Sequence, residues 1–415
     1  MITTFYPPYA FGGDAVFVYG LTNMLARRGH EVDVIHCVDS YQALAKEPLL
    51  AEYPNEPGVT LHSLVSGVGA LSPLATQQSG YPLFKGRKIR TILAAKRFDV
   101  IHFHNISLIG GPMILRYGEG IKLYTTHEHW LICPMHTLFK FQREACVRPS
   151  CFRCTLVSSR PPQLWRYTGM LQAALRHVDA FLAPSVFTLR RHLADGLEVP
   201  FVHLPLCVAD APEESWPLAG QGELRLPAAP FFLYVGRLEK LKGLHTVIPL
   251  FREYQKAHLV VAGDGDYSET LKRLARGCDR IHFLGHLIPS RLRCVYARAL
   301  ALLVPSITFE TFGQVIIEAH AARTPVIARD LGPFPEILAE SGGGLLFRDD
   351  AELLAAMERL RTDRVFRDRL GEAGYQAYRV RWTEEVYLQR YLGLIEKLRE
   401  RKGLTIVAHE QSFPR

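Results

Sequence analysis

The sequence lacks any long hydrophobic run, although hydrophobic residues make up 48% of its 415 positions. A membrane-spanning helix needs about 18 to 20 consecutive apolar residues, and no segment of the sequence reaches that length. The first residues also lack the basic and apolar regions of a secretion signal. We therefore expect neither a membrane span nor a signal peptide, and we predict a cytoplasmic location.

The composition excludes several classes of protein. Charged residues make up 22% and aromatic residues 10% of the chain, which has 32 glycines and 26 prolines. These values are typical of a globular protein and exclude collagen, a coiled coil and a disordered chain. A chain of 415 residues is too long for one ordinary core and suits two domains of about 200 residues each.

Short apolar runs alternate with amphipathic stretches in both halves of the chain, and this alternation predicts parallel sheets covered by helices. We predict strands at residues 31–37, 100–103, 122–125, 180–183, 231–235, 258–262, 280–284, 301–304 and 325–328, and helices at 17–28, 246–254, 269–276, 290–298, 313–322 and beyond 349. Proline and glycine dominate residues 204–230, the predicted domain connection. The predicted fold class is α/β, with two doubly wound domains facing a central cleft.

The chain has a net charge of +8, and residues 85–97 contain no acidic residue. It carries six cations, namely Lys85, Arg87, Lys88, Arg90, Lys96 and Arg97. Such a run is either a solvated helix face or a contact for nucleic acid, an anionic membrane or a phosphorylated substrate. The run lacks the stacking aromatic residues that binding of single-stranded nucleic acid requires, so we expect no nucleic acid partner.

Two loops at predicted strand ends suit a phosphate ligand. Gly12 and Gly13 precede the first helix, where free backbone N–H groups attract anions. Arg237 and Lys242 follow the strand at 231–235, and two cations at one strand end suit a diphosphate. Each loop alone is weak evidence, because a structural turn or a solvated cation explains it about as well.

A third loop follows the strand at 301–304 and carries two glutamates. Glu310 lies in the loop, and Glu318 lies inside the predicted helix that follows. A carboxylate accepts hydrogen bonds from hydroxyl groups, so Glu318 suits a ribose diol and Glu310 suits another polar ligand.

These loops belong to a longer series of motifs. They are the loop with Gly12 and Gly13, the segments 25–32, 98–102 and 125–128, Arg237 with Lys242 and Gly243, the segment 262–265, Glu310 with Glu318, and the segments 319–321 and 335–337. The whole set, in this order, resembles the retaining glycosyltransferases of family 4, which have the GT-B fold of two Rossmann-like domains.

The resemblance implies a role for each site residue. Arg237 and Lys242 hold the donor diphosphate; Glu310 and the backbone of Phe312, Gly313 and Gln314 hold the donor sugar; Glu318 holds the ribose; Gly12 and Gly13 approach the phosphate or the acceptor; and His127 faces the reaction centre. His127 and Glu310 are thus the predicted catalytic residues. No cofactor is expected to be required for catalysis, since the two cations can offset the charge of the leaving phosphate.

The implied activity is retaining transfer of a sugar from a nucleotide sugar to a glycan, a lipid-linked or a small-molecule acceptor. Residues 1–205 would bind the acceptor, residues 206–380 the donor, and a helix at 381–402 would cross back to the first domain. Contact of the basic run with anionic membrane would place the protein at the inner face of the membrane.

The alternatives are a nucleotide-sugar epimerase of the same fold and a non-catalytic sugar- or metal-binding relative. The segment 1–5 is several residues shorter than the usual first strand of the family, so we expect either a short first strand or a start that lies upstream.

Four of the eight cysteines lie close together in the sequence, at Cys133, Cys146, Cys151 and Cys154. Four thiolates can close a tetrahedral zinc site, and a Cys-x-x-Cys pair is a favoured part of one. Free buried thiols are the main alternative, and a disulfide is disfavoured in a reducing cytoplasm. A structural zinc ion is therefore an expectation, with no assigned role in catalysis.

Overall fold

The computed structural model describes residues 1–45, 53–209 and 226–403. The strands before the predicted connection are β1 (Val32–Cys37), β2 (Val59–Leu64), β3 (Val100–Phe103), β4 (Ile121–Thr125), β5 (Phe139–Lys140), β6 (Glu144–Ala145), β7 (Ala180–Ala183) and β8 (Phe201–His203). The α-helices there are α1 (Gly12–Arg27), α2 (Val38–Leu44), α3 (Leu71–Ser79), α4 (Gly86–Ala95), α5 (Cys151–Val157), α6 (Met170–Leu175) and α7 (Val186–Ala194). Short 3-10 helices occupy Pro112–Arg116 and Leu164–Tyr167.

The strands of this first half form a parallel arrangement that the chain's first residues complete. β1 pairs with β2, and β3, β4, β7 and β8 pair in that order. Ile2 makes parallel bridges to Ile35 of β1 and to Phe103 of β3, so the first segment lies between the two groups. The strand order changes direction at this segment, and ligands bind at such a switch point in open α/β sheets.

After the connection, the strands are β9 (Phe231–Val235), β10 (His258–Ala262), β11 (Ile281–Gly285), β12 (Leu302–Val304), β13 (Val326–Arg329) and β14 (Gly344–Phe347). The α-helices are α8 (Leu244–Val247), α9 (Leu250–Glu253), α10 (Ser268–Leu274), α11 (Pro289–Arg298), α12 (Gln314–Ala321), α13 (Phe334–Ser341), α14 (Asp350–Thr362), α15 (Arg364–Arg381) and α16 (Glu384–Arg401). A 3-10 turn spans Lys240–Lys242. The six parallel strands run in the order β11-β10-β9-β12-β13-β14, the Rossmann order with its switch point between β9 and β12.

The nine predicted strands are present within one or two residues of their expected positions. The sequence pattern missed β2, β8, β14 and the β5–β6 hairpin. β2 leaves most of its residues partly or fully exposed, and the hairpin strands have only two residues each, so neither shows the apolar run of a buried strand. The predicted helix at 246–254 is two short helices separated at Pro249, because proline lacks the N–H that would continue the first of them.

The long C-terminal helix α16 packs against the first half of the molecule. The hydroxyl of Tyr391 and Nδ1 of His102, on β3, lie 3.0 Å apart within hydrogen-bond distance. Arg27, at the end of α1, forms an ion pair with Glu384, and Thr383 caps the helix by accepting a hydrogen bond from the Val386 N–H. Within the described residues, no helix combines the length and the apolar character that crossing a bilayer would need.

Most of the predicted connection at 204–230 lies outside the described residues. The flanking strands end at His203 and begin at Phe231. The predicted domain limits at 205 and 380 stay predictions.

Candidate active site

The centre of the candidate site is the switch point of the six-stranded sheet. The loop after β9 carries Lys242 and the loop after β12 carries Glu310, and adjacent strands bring the two loops together. The Lys242 Nζ lies 2.8 Å from Oε1 and 3.0 Å from Oε2 of Glu310. The fold thus joins two predicted site residues that are far apart in the sequence.

Glu310 is held as a carboxylate by its neighbours. Burial alone would raise its pKa, but the charge and hydrogen bonds of Lys242 and the hydrogen bond from Ser306 keep the pKa below its ordinary value. The Ser306 hydroxyl donates to Oε1 at 2.9 Å. About a quarter of each side chain of the Lys242–Glu310 pair stays exposed, so the pair remains accessible to a ligand.

The close approach of the two loops depends on Gly243. Its φ of +76° lies in the left-handed region that favours glycine. A Cβ at this position would lie 2.0 Å from the carbonyl oxygen of Pro305, which is a severe clash. A residue with a Cβ would keep the loop after β9 from passing so close to the loop after β12. Gly243 therefore allows the approach that places Lys242 next to Glu310.

The start of α12 forms another wall of the site. The chain passes from Phe312, which is buried, through Gly313 to Gln314, where the helix begins. The first N–H groups of a helix lack intrahelical partners and attract negative charge. The predicted backbone contacts at 312–314 therefore lie where a helix offers free donors.

Glu318 lies in the second turn of α12 and forms no ion pair within the described residues. The Tyr296 hydroxyl donates a hydrogen bond to Oε2 at 2.9 Å. Burial raises the pKa of Glu318 to about 7, although the Tyr296 hydrogen bond and Arg293 work in the opposite direction. The carboxyl group is therefore partly protonated near neutral pH.

Gly12 and Gly13 face this site across the cleft. The sequence pattern predicted them in a loop before a helix at 17–28, but they are the first two residues of α1. A Cβ on Gly12, which has a φ of +77°, would lie 3.7 Å from Nε of Arg237. A Cβ on Gly13 would lie 3.4 Å from Oε1 of Gln314. The absence of side chains at both glycines leaves room between the start of α1 and the cationic side of the site.

His127 follows β4 and reaches the same cleft through its backbone. The Thr311 hydroxyl, next to Glu310, donates to the His127 carbonyl oxygen at 2.9 Å. The His127 ring shares a hydrogen bond with His104, with 2.9 Å between Nε2 and Nδ1. Burial lowers the pKa of His127 to about 3, which favours the neutral imidazole near neutral pH.

Sequence reasoning missed two carboxyl groups on the side of the first half. Asp14 follows the two glycines, and Nδ2 of Asn105 lies 3.5 Å from its Oδ2. Burial and then the charge of Glu128 raise the pKa of Asp14 to about 6, against the opposing effect of Arg237. The sequence feature that could have identified Asp14 is its position directly after Gly13, in the first turn of α1.

Glu128 is the second of these groups. Its Oε2 lies 2.7 Å from Nδ1 of His136, whereas its Oε1 is buried with no hydrogen-bond partner among the residues that the structure describes. An unsatisfied buried oxygen is costly unless a ligand or water supplies a donor. The signal for Glu128 was its position next to His127.

Contacts across the cleft also fix the loop of Glu310. The hydroxyls of Ser185 and Thr188, at the start of α7, donate to the Thr311 carbonyl at 2.6 and 2.8 Å. Glu336 of α13 accepts hydrogen bonds from the N–H groups of Val186 and Phe187 at 2.8 and 2.7 Å, capping the positive end of that helix. These contacts hold the two halves together around Thr311.

The four clustered cysteines lie on a small substructure beside the site. Cys133 precedes the β5–β6 hairpin and Cys146 follows it, while α5 carries Cys151 and Cys154. Burial raises the pKa of Cys133, and it raises that of Cys151 to about 11, which favours thiols over thiolates. No group of three or more His, Cys, Asp or Glu in the described ranges is arranged to hold a metal ion. The geometry therefore gives zinc no direct support, and the zinc site stays a prediction.

This cysteine-rich substructure contacts the loop of Glu310 in the other half. The Thr308 hydroxyl donates to the Thr137 carbonyl at 2.6 Å, and Phe309 packs against the cluster of Cys133, Leu138 and Cys146. Both contacts are within two residues of Glu310. The cysteine-rich substructure thus supports the loop that carries Glu310.

Comparison with known proteins agrees with this architecture. Residues 11–208 match the model of glycosyltransferase family 4, and residues 223–377 match that of glycosyl transferases group 1. The chain is 26% identical over 402 residues to a glycogen synthase of Mycobacterium tuberculosis, covering 91% of this chain and 89% of the relative.

Two solved structures share the fold. Sucrose-phosphate synthase of Thermosynechococcus elongatus has a TM-score of 0.73 at 20% identity, over 96% of this chain and 98% of that one. The Anabaena protein HepE in complex with UDP-glucose has a TM-score of 0.64 at 15% identity, over 95% and 99%. The predicted fold class, two Rossmann-like domains of the GT-B type, is confirmed. The chain is a glycosyltransferase, and it belongs to glycosyltransferase family 4.

Proposed function

We propose that the protein transfers a sugar, with retention of anomeric configuration, from a nucleotide-sugar donor to an acceptor hydroxyl in polysaccharide, lipid-linked glycan or glycoconjugate biosynthesis. One observation carries the proposal: the Lys242–Glu310 pair and the His127 carbonyl meet on either side of Thr311. Cations for a diphosphate and groups for the sugar thus converge at one point of the cleft. The binding of UDP-glucose by HepE supports a donor of this chemistry.

In the proposed reaction, the bond between the anomeric carbon and the phosphate oxygen breaks, and its electron pair stays on the phosphate. The acceptor oxygen bonds to the anomeric carbon on the same face and gives its proton to the departing phosphate oxygen. Arg237, Lys242 and the free N–H groups at the start of α12 offset the negative charge that develops on the leaving group. Glu318 accepts hydrogen bonds from the ribose.

The first half supplies groups for the sugar and the acceptor. The neutral His127 directs its backbone carbonyl towards the loop of Glu310, where a carbonyl dipole stabilises positive charge on the sugar. Asp14 and Glu128 lie on the acceptor side and accept hydrogen bonds from acceptor hydroxyls. We place the protein in the cytoplasm, at the inner face of the membrane when the acceptor is lipid-linked.

The test is a transfer assay with a panel of radiolabelled nucleotide sugars and mixed acceptors, followed by NMR of the product linkage. Transfer with the donor's anomeric configuration supports the proposal, and an inverted product contradicts it. Conversion of the nucleotide sugar without any acceptor would instead indicate an epimerase. Binding of nucleotide sugars without turnover, over a full panel of donors and acceptors, would indicate a non-catalytic relative.

A further inference from the structure

Two buried histidines of the first half take no part in the reaction described above. His102 lies on β3 and His104 follows that strand directly, and each residue is about 1% exposed. A buried imidazole is costly unless its polar atoms have partners. The partners of these two residues therefore indicate what the histidines do.

The two histidines form a row of rings that ends at His127. The ring centroids of His102 and His104 lie 4.0 Å apart, and those of His104 and His127 lie 5.1 Å apart. Nδ1 of His104 is 2.9 Å from Nε2 of His127, so these rings share a hydrogen bond. Nδ1 of His127 is buried without a partner among the described residues. Within the described ranges, His104 is thus the hydrogen-bond partner that orients the His127 ring.

The second ring nitrogen of His104 sets the direction of this hydrogen bond. Its Nε2 lies 3.5 Å from Sδ of Met1, and a thioether sulfur accepts hydrogen bonds but cannot donate them. Burial, followed by the charges of His102 and His127, lowers the pKa of His104 well below its ordinary value, which favours a neutral ring with one proton. The sulfur contact places that proton on Nε2 of His104. Nδ1 of His104 is then an acceptor, and His127 donates from its Nε2.

The long C-terminal helix α16 anchors the other end of the row. The Tyr391 hydroxyl lies 3.0 Å from Nδ1 of His102, and the Thr125 hydroxyl lies 2.8 Å from Nε2 of the same ring. Both nitrogens of His102 are therefore satisfied, one by α16 and one by the end of β4. The row connects α16 to the segment that carries His127.

Aromatic rings from two helices complete the surroundings of His127. The rings of Tyr391 and Tyr387 are stacked on α16 with centroids 5.8 Å apart. Phe17 of α1 lies 5.4 Å from the Tyr387 ring and 5.4 Å from the His127 ring. The His127 ring is thus in contact with His104 and with Phe17, and α16 supports both of these neighbours.

We propose that His104 is a positioning residue for His127, whose imidazole it holds with the proton on Nε2, and that Tyr391 anchors His104 through His102. The inference rests on the proposed function, in which the His127 backbone carbonyl stabilises positive charge on the sugar. His104 acts through His127 and contacts neither the sugar nor the phosphate. A ring that loses its hydrogen bond can shift the backbone that bears this carbonyl, and small displacements of a reacting group lower rates strongly.

The test uses three substitutions of His104 that differ in which nitrogen they imitate. His104→Asn places an amide oxygen near the position of Nδ1 and can accept from His127, whereas His104→Gln places its amide near Nε2 and His104→Leu has no polar group. The turnover number with saturating donor and acceptor should fall about 10- to 100-fold in His104→Leu and His104→Gln. His104→Asn should restore most of it. The KM for the donor should stay unchanged, because the contacts with the diphosphate and the ribose remain.

A spectroscopic measurement separates positioning from a merely structural role. Long-range ¹H–¹⁵N spectra of protein labelled at histidine show which ring nitrogen carries the proton, and the spectrum of His127→Asn identifies the His127 signals. We expect the proton on Nε2 of His127 in the unmodified protein and in His104→Asn, and a loss of this preference in His104→Leu. A proton on Nδ1 of His127 in the unmodified protein would overturn the proposal.

The anchoring by α16 is tested with Tyr391→Phe, which removes only the hydroxyl and should lower turnover about threefold to tenfold. The matched control is Tyr254→Phe, which removes a hydroxyl bonded to Glu358 in the other half. His36→Leu is the control for loss of a buried imidazole, since His36 pairs with Ser63 and belongs to no part of the row. Both controls should leave turnover nearly unchanged.

Normal turnover of His104→Leu, or equal turnover of His104→Asn and His104→Gln, would overturn the proposal, and so would equal losses in the controls. If His104→Leu does not fold, the Asn and Gln variants carry the comparison. Failure of the proposed function is distinguishable, because the unmodified protein would then transfer no sugar from any donor while the proton position on His127 still tests the role of His104.

Discussion

The two halves of the molecule handle charge in opposite ways. Around the six-stranded sheet, the charged site residues are paired and partly enclosed, as Lys242 and Glu310 are. In the first half, two segments without acidic residues leave cations and apolar side chains exposed. The comparison shows that neighbouring groups hold the charges of the site, whereas the cations of residues 57–98 and 145–178 are mostly exposed to solvent.

The carboxyl groups of the cleft differ in the balance between burial and neighbouring charges. The pKa of Glu310 is lowered because Lys242 and Ser306 outweigh the effect of burial. The pKa of Asp14 is raised to about 6, because burial and the charge of Glu128 outweigh the effect of Arg237. Burial likewise raises the pKa of Glu318 to about 7. Glu310 therefore stays ionised, whereas Asp14 and Glu318 each gain or lose a proton near physiological pH.

The largest effect should come from Glu310→Gln. The change keeps the shape of the side chain but removes the charge that holds Lys242, so the turnover number should fall about 100- to 1,000-fold. Thermal unfolding should change little, because the pair is partly exposed and such pairs contribute modestly to stability. Rates measured with a saturating donor check this, with Glu269→Gln on the exposed side of α10 as the control. Near-normal turnover would remove Glu310 from the donor site.

A smaller effect is expected from Asp14→Asn, which tests the acceptor side. Loss of one charge-assisted hydrogen bond should lower kcat/KM for the acceptor about 10- to 100-fold and leave donor binding unchanged. In the unmodified protein, kcat/KM for the acceptor should fall as the pH drops below about 6, since protonated Asp14 is a poorer acceptor of hydrogen bonds. The exposed Asp99→Asn is the control. An equal loss of donor affinity would contradict this division of roles.

Glu318 should give a third, pH-dependent effect. Hydroxyl groups of the ribose favour the ionised carboxylate, so donor binding should lower the pKa of Glu318 from about 7 and release a proton. Affinity for the nucleotide-sugar donor should therefore rise as the pH increases towards 7 and level off above it. Calorimetry in buffers of different ionisation enthalpy detects the proton. Glu318→Gln should weaken binding about tenfold and abolish the proton release; release that persists in this variant would assign it to another group.

The smallest effect should follow chelation. Transfer is expected to need no added metal, since Arg237 and Lys242 can offset the charge of the phosphate, so EDTA should leave the rate unchanged. Elemental analysis tests the separate zinc prediction: zinc in a one-to-one ratio with protein, lost in Cys151→Ser with Cys154→Ser but kept in Cys294→Ser, would support it. Protein purified without bound zinc and stable to a strong chelator would refute it.

Much of the fold was predictable because its signals are local. Nine strands follow from short apolar runs between amphipathic stretches, and α1 and α16 follow from their periodicity. Strands whose residues are exposed, such as β2, or too short, such as β5, leave no such signal. The apolar pattern around Pro249 predicted one continuous helix, although proline disfavours the continuation of a helix. The two short helices there show that the effect of proline prevailed.

The sequence by itself determined which residue types occupy the site. Lys242, Gly243 and Glu310 lie in loops that follow predicted strands, and Glu318 lies in the helix after the loop of Glu310. These positions follow from local patterns in the chain. Only the tertiary structure decided what these residues do to one another. The neighbouring positions of β9 and β12 pair Lys242 with Glu310, which lowers the pKa of Glu310 against the effect of burial. Glu318 has no such partner, so burial raises its pKa. The same holds for residues 57–98 and 145–178, because the two segments are distant in sequence and are adjacent only after folding. Charge coupling and burial depend on distances through space, which no local pattern in the chain records.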